Sequence, residues 1–339
     1  MTKPSIYVAY TGGTIGMQQT AQGFAPVAGF LTSHIKTLPE FYHEAMPEFV
    51  IKEYDPLIDS ANAAPADWQI IADDIAANYQ AYDGFVILHG TDTMAYTASA
   101  LSFVLQGLAK PVIITGSQIP LAQPHSDGPS NLSHALYLAA KYPAPEVCVF
   151  FNKKLLRGNR STKVHTEDVD AFASPNYPPL LETDSAMLPL PEHQQKSLTA
   201  TNTLSVANIS PQPISIFTLY PGVSTELLDA ALQQPIKALI LQSYGAGNAP
   251  QHAKFIDALA AANQRGVIII NLSQCLQGSV NMAVYATGKA LADAGVLSGY
   301  DMTLEATITK LHFLLSQNMP ITEVKLAMKK NVQGELSDG

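Results

Sequence analysis

Residues Ile6–Met17 read IYVAYTGGTIGM, and residues Gly84–Met94 read GFVILHGTDTM. In each, a short apolar run breaks abruptly into glycine and hydroxyl residues. That texture marks the carboxyl end of a buried parallel strand that delivers side chains to a crevice. Together the two stretches present Thr11, Thr14, Thr91, Asp92 and Thr93. Such a set suits nucleophilic attack by an alcohol, whereas an ordinary turn into a helix needs only one hydroxyl as its cap.

Outward from these stretches, strand-like and helix-like runs alternate. Strands are expected at Ile6–Tyr10, Phe49–Tyr54, Phe85–Leu88, Val112–Thr115 and Val147–Phe151, and helices at Asp67–Tyr79, Thr93–Leu105 and Asn131–Lys141. This order predicts an α/β fold with a doubly wound, mainly parallel sheet covered on both faces. Its crossovers should be right-handed. From Leu181 to Pro213 the chain turns polar and Pro-punctuated, with one strand near Leu204–Asn208. Strands are expected again at Ile214–Tyr220, Ala238–Tyr244 and Val267–Leu272, with helices at Thr225–Gln233, Gln251–Gln264, Thr303–Ser316 and Ile321–Lys330. The expectation is a larger N-terminal catalytic domain over 1–190, a linker over 191–213 and a smaller C-terminal α/β domain over 214–339.

A chain of 339 residues is long for a single core. Hydrophobic residues make up 47% and charged residues 14%, the balance of a globular protein rather than a disordered one. A net charge of −9 argues against a nucleic-acid partner, which would need clustered Lys and Arg. No run approaches the ~18 apolar residues of a membrane span. The N-terminus enters the first strand directly, without the pattern of a signal peptide. Cys148 and Cys275 sit in or beside apolar runs and are expected to be two reduced, buried thiols, which fits the cytoplasm.

The loop Thr11–Gly16 invites comparison with phosphate-binding loops, but it lacks the Walker lysine and does not match G-x-G-x-x-G. Its glycines instead let the backbone turn sharply and leave Thr14 exposed above the sheet. No HExxH or Cys/His ligand spacing is present, so neither metal nor nucleotide cofactor is expected. A threonine hydroxyl is a weak nucleophile and needs a base beside it. His89 reads as a strand-end histidine bonded to backbone rather than as that base. Asp92 and a lysine remain. The segment RGNRSTK at 157–163 follows the strand Val147–Phe151 and can return Lys163 to the same crevice. A lysine steered by a carboxylate assists proton transfer, typically by ~10²–10⁴-fold. Spacing alone nevertheless favours Lys163 as a solvated loop cation.

These stretches resemble the L-asparaginases, specifically the cytoplasmic (type I) bacterial kind. The likeness runs nearly end to end. It rests on YTGGTIGM, GFVILHGTDTM, TGSQIP at 115–120, RGNRSTK at 157–163, SYGAGNAP at 243–250 and NMAVYATG at 281–288. The resemblance implies hydrolysis of L-asparagine to L-aspartate and ammonia through an acyl-enzyme, with no cofactor. Thr14 matches the nucleophile, and Thr91, Asp92 and Lys163 match a second triad that handles protons. Asp92 would also hold the substrate ammonium, while Asp59 and Ser60 would border its α-carboxylate. Asn248 matches a residue lent to a neighbouring subunit, which implies a homodimer or a homotetramer of intimate dimers.

Two other readings compete. One is a catalytically silent amino-acid sensor of the same fold. The other is the ammonia-generating subunit of a transamidosome, which the acidic pI and the position of TGGTIG at residue 11 disfavour.

The chain departs from the family pattern at several positions. Ala61 and Asn62 replace a Ser-Asp pair. Gln242 stands where a basic residue would grip an effector carboxylate in a regulatory pocket lined by Ser273 and Cys275. Losing that charge-assisted contact would cost ~1.5–3 kcal/mol, so activation by asparagine should be weak or absent. Phe24 occupies the lid position where relatives carry Tyr. Its ring should still close the lid, with proton transfer relying more on Thr91 and Lys163. Phe24→Tyr is then expected to raise kcat in a steady-state ammonia assay, and an unchanged or lower kcat would refute this account of the lid.

Overall fold

Runs such as Ile6-Tyr7-Val8-Ala9-Tyr10 and Phe85-Val86-Ile87-Leu88 are apolar on both faces and are buried along their whole length. Strands of this kind need cover on both sides, and here they have it. The structure, a computed structural model, describes residues 3–21, 23–142, 144–183, 203–283 and 286–337. Residues 184–202, which include much of the expected linker, lie outside the described residues, as do Gln22 of the expected lid and 284–285 of NMAVYATG.

The chain divides into two compact units, Met1–Ala207 and Asn208–Gly339. In the first, a seven-stranded sheet runs in the order Leu181–Glu182, Lys154–Arg157, Val147–Phe151, Val112–Thr115, Gly84–Leu88, Ser5–Tyr10, Glu48–Glu53. The five strands from Val147–Phe151 to Glu48–Glu53 are parallel, and the other two pair antiparallel at one edge. On one face Ile6, Val8, Val86 and Ile113 pack with Leu132 and Leu136 of the helix Gly128–Lys141. On the other, Tyr7 and Tyr79 lie against Phe85, with Tyr79 stacked at a centroid distance of 5.8 Å. The helix that ends beside Tyr79, Pro65–Asn78, opens with Pro65 and with Asp67 Oδ2 accepting the Ala64 amide at 2.7 Å. The fold is thus α/β, with a large, mainly parallel N-terminal sheet.

The second unit carries a smaller sheet in the order Ile214–Thr218, Ala238–Ser243, Ile268–Ser273, Leu297–Ser298, parallel throughout. Leu239, Leu241 and Ile269 pack with Phe255 and Leu259 of the helix Ala253–Gln264. Ser224 and Thr303 cap the helices Thr225–Gln233 and Leu304–Leu315 through side-chain bonds to backbone amides.

Three features depart from expectation. Cys148 is buried, but Cys275 is exposed. The strand Ile268–Ser273 has ended before residue 275, so its side chain lies in a turn beyond the sheet rather than in the core. A short hairpin, Met17–Thr20 paired with Gly23–Pro26, follows the first loop; MQQT has no apolar alternation to signal it. The strand Lys154–Arg157 is likewise new. It doubles back after Asn152 and Lys153, both with positive φ, which suits a two-residue hairpin turn.

That return strand sets the route to Lys163. Arg157 Nε donates to Glu146 Oε2 at 2.7 Å, with both side chains almost wholly buried, and its guanidinium lies 4.6 Å from the Tyr177 ring centroid. The chain then turns through Gly158–Arg160, where a β-carbon on Gly158 would stand 2.8 Å from Val147 O and 3.2 Å from Ala98. The segment therefore passes close against the helix Met94–Val104 before Thr162–Lys163 pairs with Phe172–Ala173. Removing one partner of a buried ion pair strands the other charge, a loss of about 3–5 kcal/mol. Glu146→Leu is expected to lower stability by that order in urea titrations, and adding Arg157→Met should recover much of it.

At the end of Gly84–Leu88, His89 is buried and bonded on both ring nitrogens, at 2.7 Å to Gly90 O and 2.9 Å to Thr97 Oγ1. A carbonyl only accepts, so Nδ1 carries the proton and Nε2 accepts from Thr97. Burial pushes the His89 pKa down, and that of His312 likewise. The folded state then lacks protons that the unfolded chain binds, so their contribution is present above the free value of about 6.5 and is lost as pH falls below it. Stability should fall between about pH 7.5 and 5.5. His89→Gln should flatten part of that slope in chemical denaturation, His312 accounting for the remainder.

Candidate active site

Three loops leave the carboxyl side of the N-terminal sheet, and glycine lets them meet backbone to backbone. Tyr10 and Leu88 end neighbouring strands in register. A β-carbon on Gly12 (φ 142°) would stand 2.1 Å from Ile58 O, and one on Gly13 (φ 96°) 2.4 Å from Gly90 Cα. One on Gly90 would meet Ser60 Oγ at 2.3 Å. No side chain larger than hydrogen fits at these contacts. The loops that carry Thr14, Ser60 and Thr91 are thereby packed together.

Hydrogen bonding separates the five residues presented by the two opening motifs. Thr11 is spent on the frame: its amide and hydroxyl both donate to Leu88 O, at 3.0 and 2.9 Å. Thr93 precedes the helix Met94–Val104 but makes no cap bond; its hydroxyl donates to Ser60 O at 2.8 Å. Thr14 opens the short 3-10 turn Thr14–Gly16, half-buried, and its hydroxyl has no hydrogen-bond partner among the described residues. Thr91 is buried and hydrogen-bonded. Lys163 Nζ donates to Thr91 Oγ1 at 2.9 Å and to Asp92 Oδ1 at 2.8 Å.

Lys163 is therefore not the solvated loop cation that spacing favoured. Its side chain is only 19% exposed while that of Asp92 is 65% exposed. The route past Gly158 and the helix Met94–Val104 folds it inward, as the likeness of RGNRSTK to the family motif implied and spacing alone did not. His89 acts on backbone, as read from the sequence: its ring bonds Gly90 O, one residue from Thr91.

Ser60 is buried beneath Gly90, and Asp59 is exposed. Asp59 caps its own turn, accepting from Ala61 N at 3.1 Å and from Asn62 Nδ2 at 3.2 Å. Asn62 donates where a second carboxylate would repel. Phe24 lies opposite Gln19 in the hairpin after Thr14 and is 41% exposed.

Asn248, Gln242, Ser273 and Cys275 belong to the second unit. Asn248 Oδ1 accepts from Thr287 Oγ1 at 2.6 Å, in a turn closed by the bridge between Tyr244 and Asn248. Gln242 Oε1 accepts from Thr218 Oγ1 at 2.7 Å on the adjacent strand. Ser273 Oγ donates to Gly245 O and accepts from the Cys275 amide. Cation-binding side chains do not gather: no group of three or more His, Cys, Asp or Glu suited to a metal occurs among the described residues.

Gln118, within TGSQIP, is a residue of this crevice beyond those expected from the sequence. Thr91 Oγ1 donates to its Oε1 at 3.1 Å. The available signal was position: Gln118 lies just beyond Val112–Thr115, the strand next to Gly84–Leu88, and so at the same edge of the crevice.

Comparison with known proteins agrees with this architecture. Residues 5–195 match the family described as Asparaginase, N-terminal, and residues 213–328 match the glutaminase/asparaginase C-terminal domain. The chain is 57% identical over 337 residues to L-asparaginase 1 of Escherichia coli strain K12, covering 99% of each. It is similar to the crystal structure of L-asparaginase I from Vibrio cholerae, with a TM-score of 0.92, 54% identity, and coverage of 99% of this chain and 100% of that one. The thermostable L-asparaginase from Thermococcus kodakarensis superposes with a TM-score of 0.88 at 31% identity, covering 99% of this chain and 100% of that one. This chain belongs to the asparaginase family.

Proposed function

We propose that the chain hydrolyses L-asparagine to L-aspartate and ammonia by way of an ester on Thr14. One observation carries the reading: a single ammonium, Lys163 Nζ, bridges the Thr91 hydroxyl and the Asp92 carboxylate beside the loop that holds Thr14. Thr14 Oγ1 adds to the side-chain amide carbon. The C–N bond then breaks, and the nitrogen leaves as ammonia with the proton the hydroxyl gave up. Water, oriented by Thr91 and Lys163, adds to the ester carbon. Aspartate departs, and Thr14 recovers its proton. Backbone N–H groups near Thr91 supply the oxyanion donors, often the largest catalytic contribution.

The substrate is a small amino acid whose two charges each need a partner once buried. Asp92 holds Lys163 through Oδ1 and is largely exposed, so its second oxygen is open to the substrate ammonium. Ser60, with Asp59, borders the α-carboxylate. No metal or cofactor enters this scheme.

Asn248 serves the site of a neighbouring copy, which makes a homodimer the minimal active unit and a homotetramer its doubled form. The cytoplasm is the proposed setting. The Gln242 amide offers no positive charge to an effector carboxylate, so cooperative activation by asparagine at Gln242, Ser273 and Cys275 is weak.

Ammonia release from asparagine is the direct test. Wild-type protein should turn over, and Thr14→Ala should lose about 10³-fold or more in kcat, as removal of a nucleophile does. Asparagine binding by calorimetry without ammonia release from the wild type would instead identify a sensor.

A further inference from the structure

The geometry points to Gln118 as a positioning residue that fixes the direction of the Thr91 hydroxyl, an inference that rests on the hydrolytic reading above. Its amide is wedged between two carbonyl acceptors and one hydroxyl donor. Nε2 lies 3.0 Å from Thr166 O and 3.2 Å from Asp168 O, both carbonyls that only accept. The NH₂ must therefore face them, which turns Oε1 toward Thr91 Oγ1 at 3.1 Å. Oε1 only accepts, so the single hydrogen of Thr91 is committed to Gln118. Lys163, which only donates, takes one lone pair of the Thr91 oxygen at 2.9 Å. The other lone pair is left to face the reacting proton.

The scaffold holds Gln118 firmly in that role. Its amide and that of Ile119 donate to the Asp127 carboxylate at 3.0 and 2.9 Å, and Asn131 Nδ2 donates to the same carboxylate at 3.1 Å. The Gln118 side chain also ties the 157–170 segment, which carries Lys163, to Thr91. Without it, the Thr91 hydrogen is free to swing onto the remaining lone-pair direction. A hydroxyl pointing its hydrogen at a nucleophile or water cannot receive a proton from it.

Two substitutions test the assignment beside wild type and Thr14→Ala in the ammonia assay. Gln118→Met keeps the side chain's length but removes all three of its hydrogen bonds. Its kcat should fall roughly ten- to a hundredfold, part of the ~10²–10⁴ that positioned proton transfer supplies, with KM changed far less. Gln118→Glu separates orientation from mere filling of space. The protonated acid keeps one donor for a carbonyl and one acceptor for Thr91, though the amide offers two donors, whereas the carboxylate has only acceptors and faces two carbonyls. Its kcat relative to wild type should therefore climb as pH falls toward about 4.3, the free glutamate value. A Gln118→Met kcat within about twofold of wild type, or a Gln118→Glu ratio flat with pH, overturns the role while leaving the hydrolytic reading intact. Wild-type protein that releases no ammonia overturns both. Should Gln118→Met fail to fold, the pH profile of Gln118→Glu decides.

Discussion

Backbone lies against backbone where Gly13 meets Gly90, and the candidate site depends on that contact. Two parallel strands end side by side with side chains standing off the sheet, which would ordinarily hold the following loops apart. Glycine at 12, 13 and 90 removes the obstacle and brings the Ser60 turn into the same junction. Thr14 and Thr91 are thus carried on neighbouring loops fixed to a buried sheet rather than on free surface loops. In the proposed reaction, groups placed in this way need little reorganisation when a ligand arrives.

Hydrogen-bond polarity then assigns a direction to several polar groups in the crevice. The Gly90 carbonyl dictates the His89 tautomer, and the Thr166 and Asp168 carbonyls dictate the orientation of the Gln118 amide. The first passes on to the Thr97 hydroxyl and the second to that of Thr91. A neutral, buried His89 has both nitrogens occupied, which leaves Lys163 and Asp92 as the charged pair at Thr91. The same economy shows at Asp59, where Asn62 is a donor that braces the turn.

Much of the frame could be read directly. The strands Val112–Thr115 and Val147–Phe151 and the helix Thr225–Gln233 fall where apolar runs and caps placed them, because a fully buried strand or an amphipathic helix writes its period into local sequence. Thr14, Thr91 and Asp92 were legible for the same reason: glycine and hydroxyl residues interrupt strands at fixed points. Cys275 was misread because closeness to an apolar run does not say where the strand stops. The hairpin at Met17–Pro26 left no trace in periodicity, since its pairing is made by backbone groups common to every residue.

The amino-acid order by itself determined the alternating α/β plan, the two glycine-broken strand ends and the hydroxyls they present, since each follows from neighbours only a few residues apart. Tertiary structure alone decided that Lys163 turns inward to Thr91 and Asp92, 72 and 71 residues away, and that Gln118 receives the Thr91 hydrogen. The reason is physical. Whether a lysine is solvated or paired depends on the path of a return strand and a tight glycine passage, and the bearing of a hydroxyl hydrogen depends on carbonyls distant in the chain. Neither follows from local spacing or periodicity, because both arise from groups that meet only when the sheet has formed.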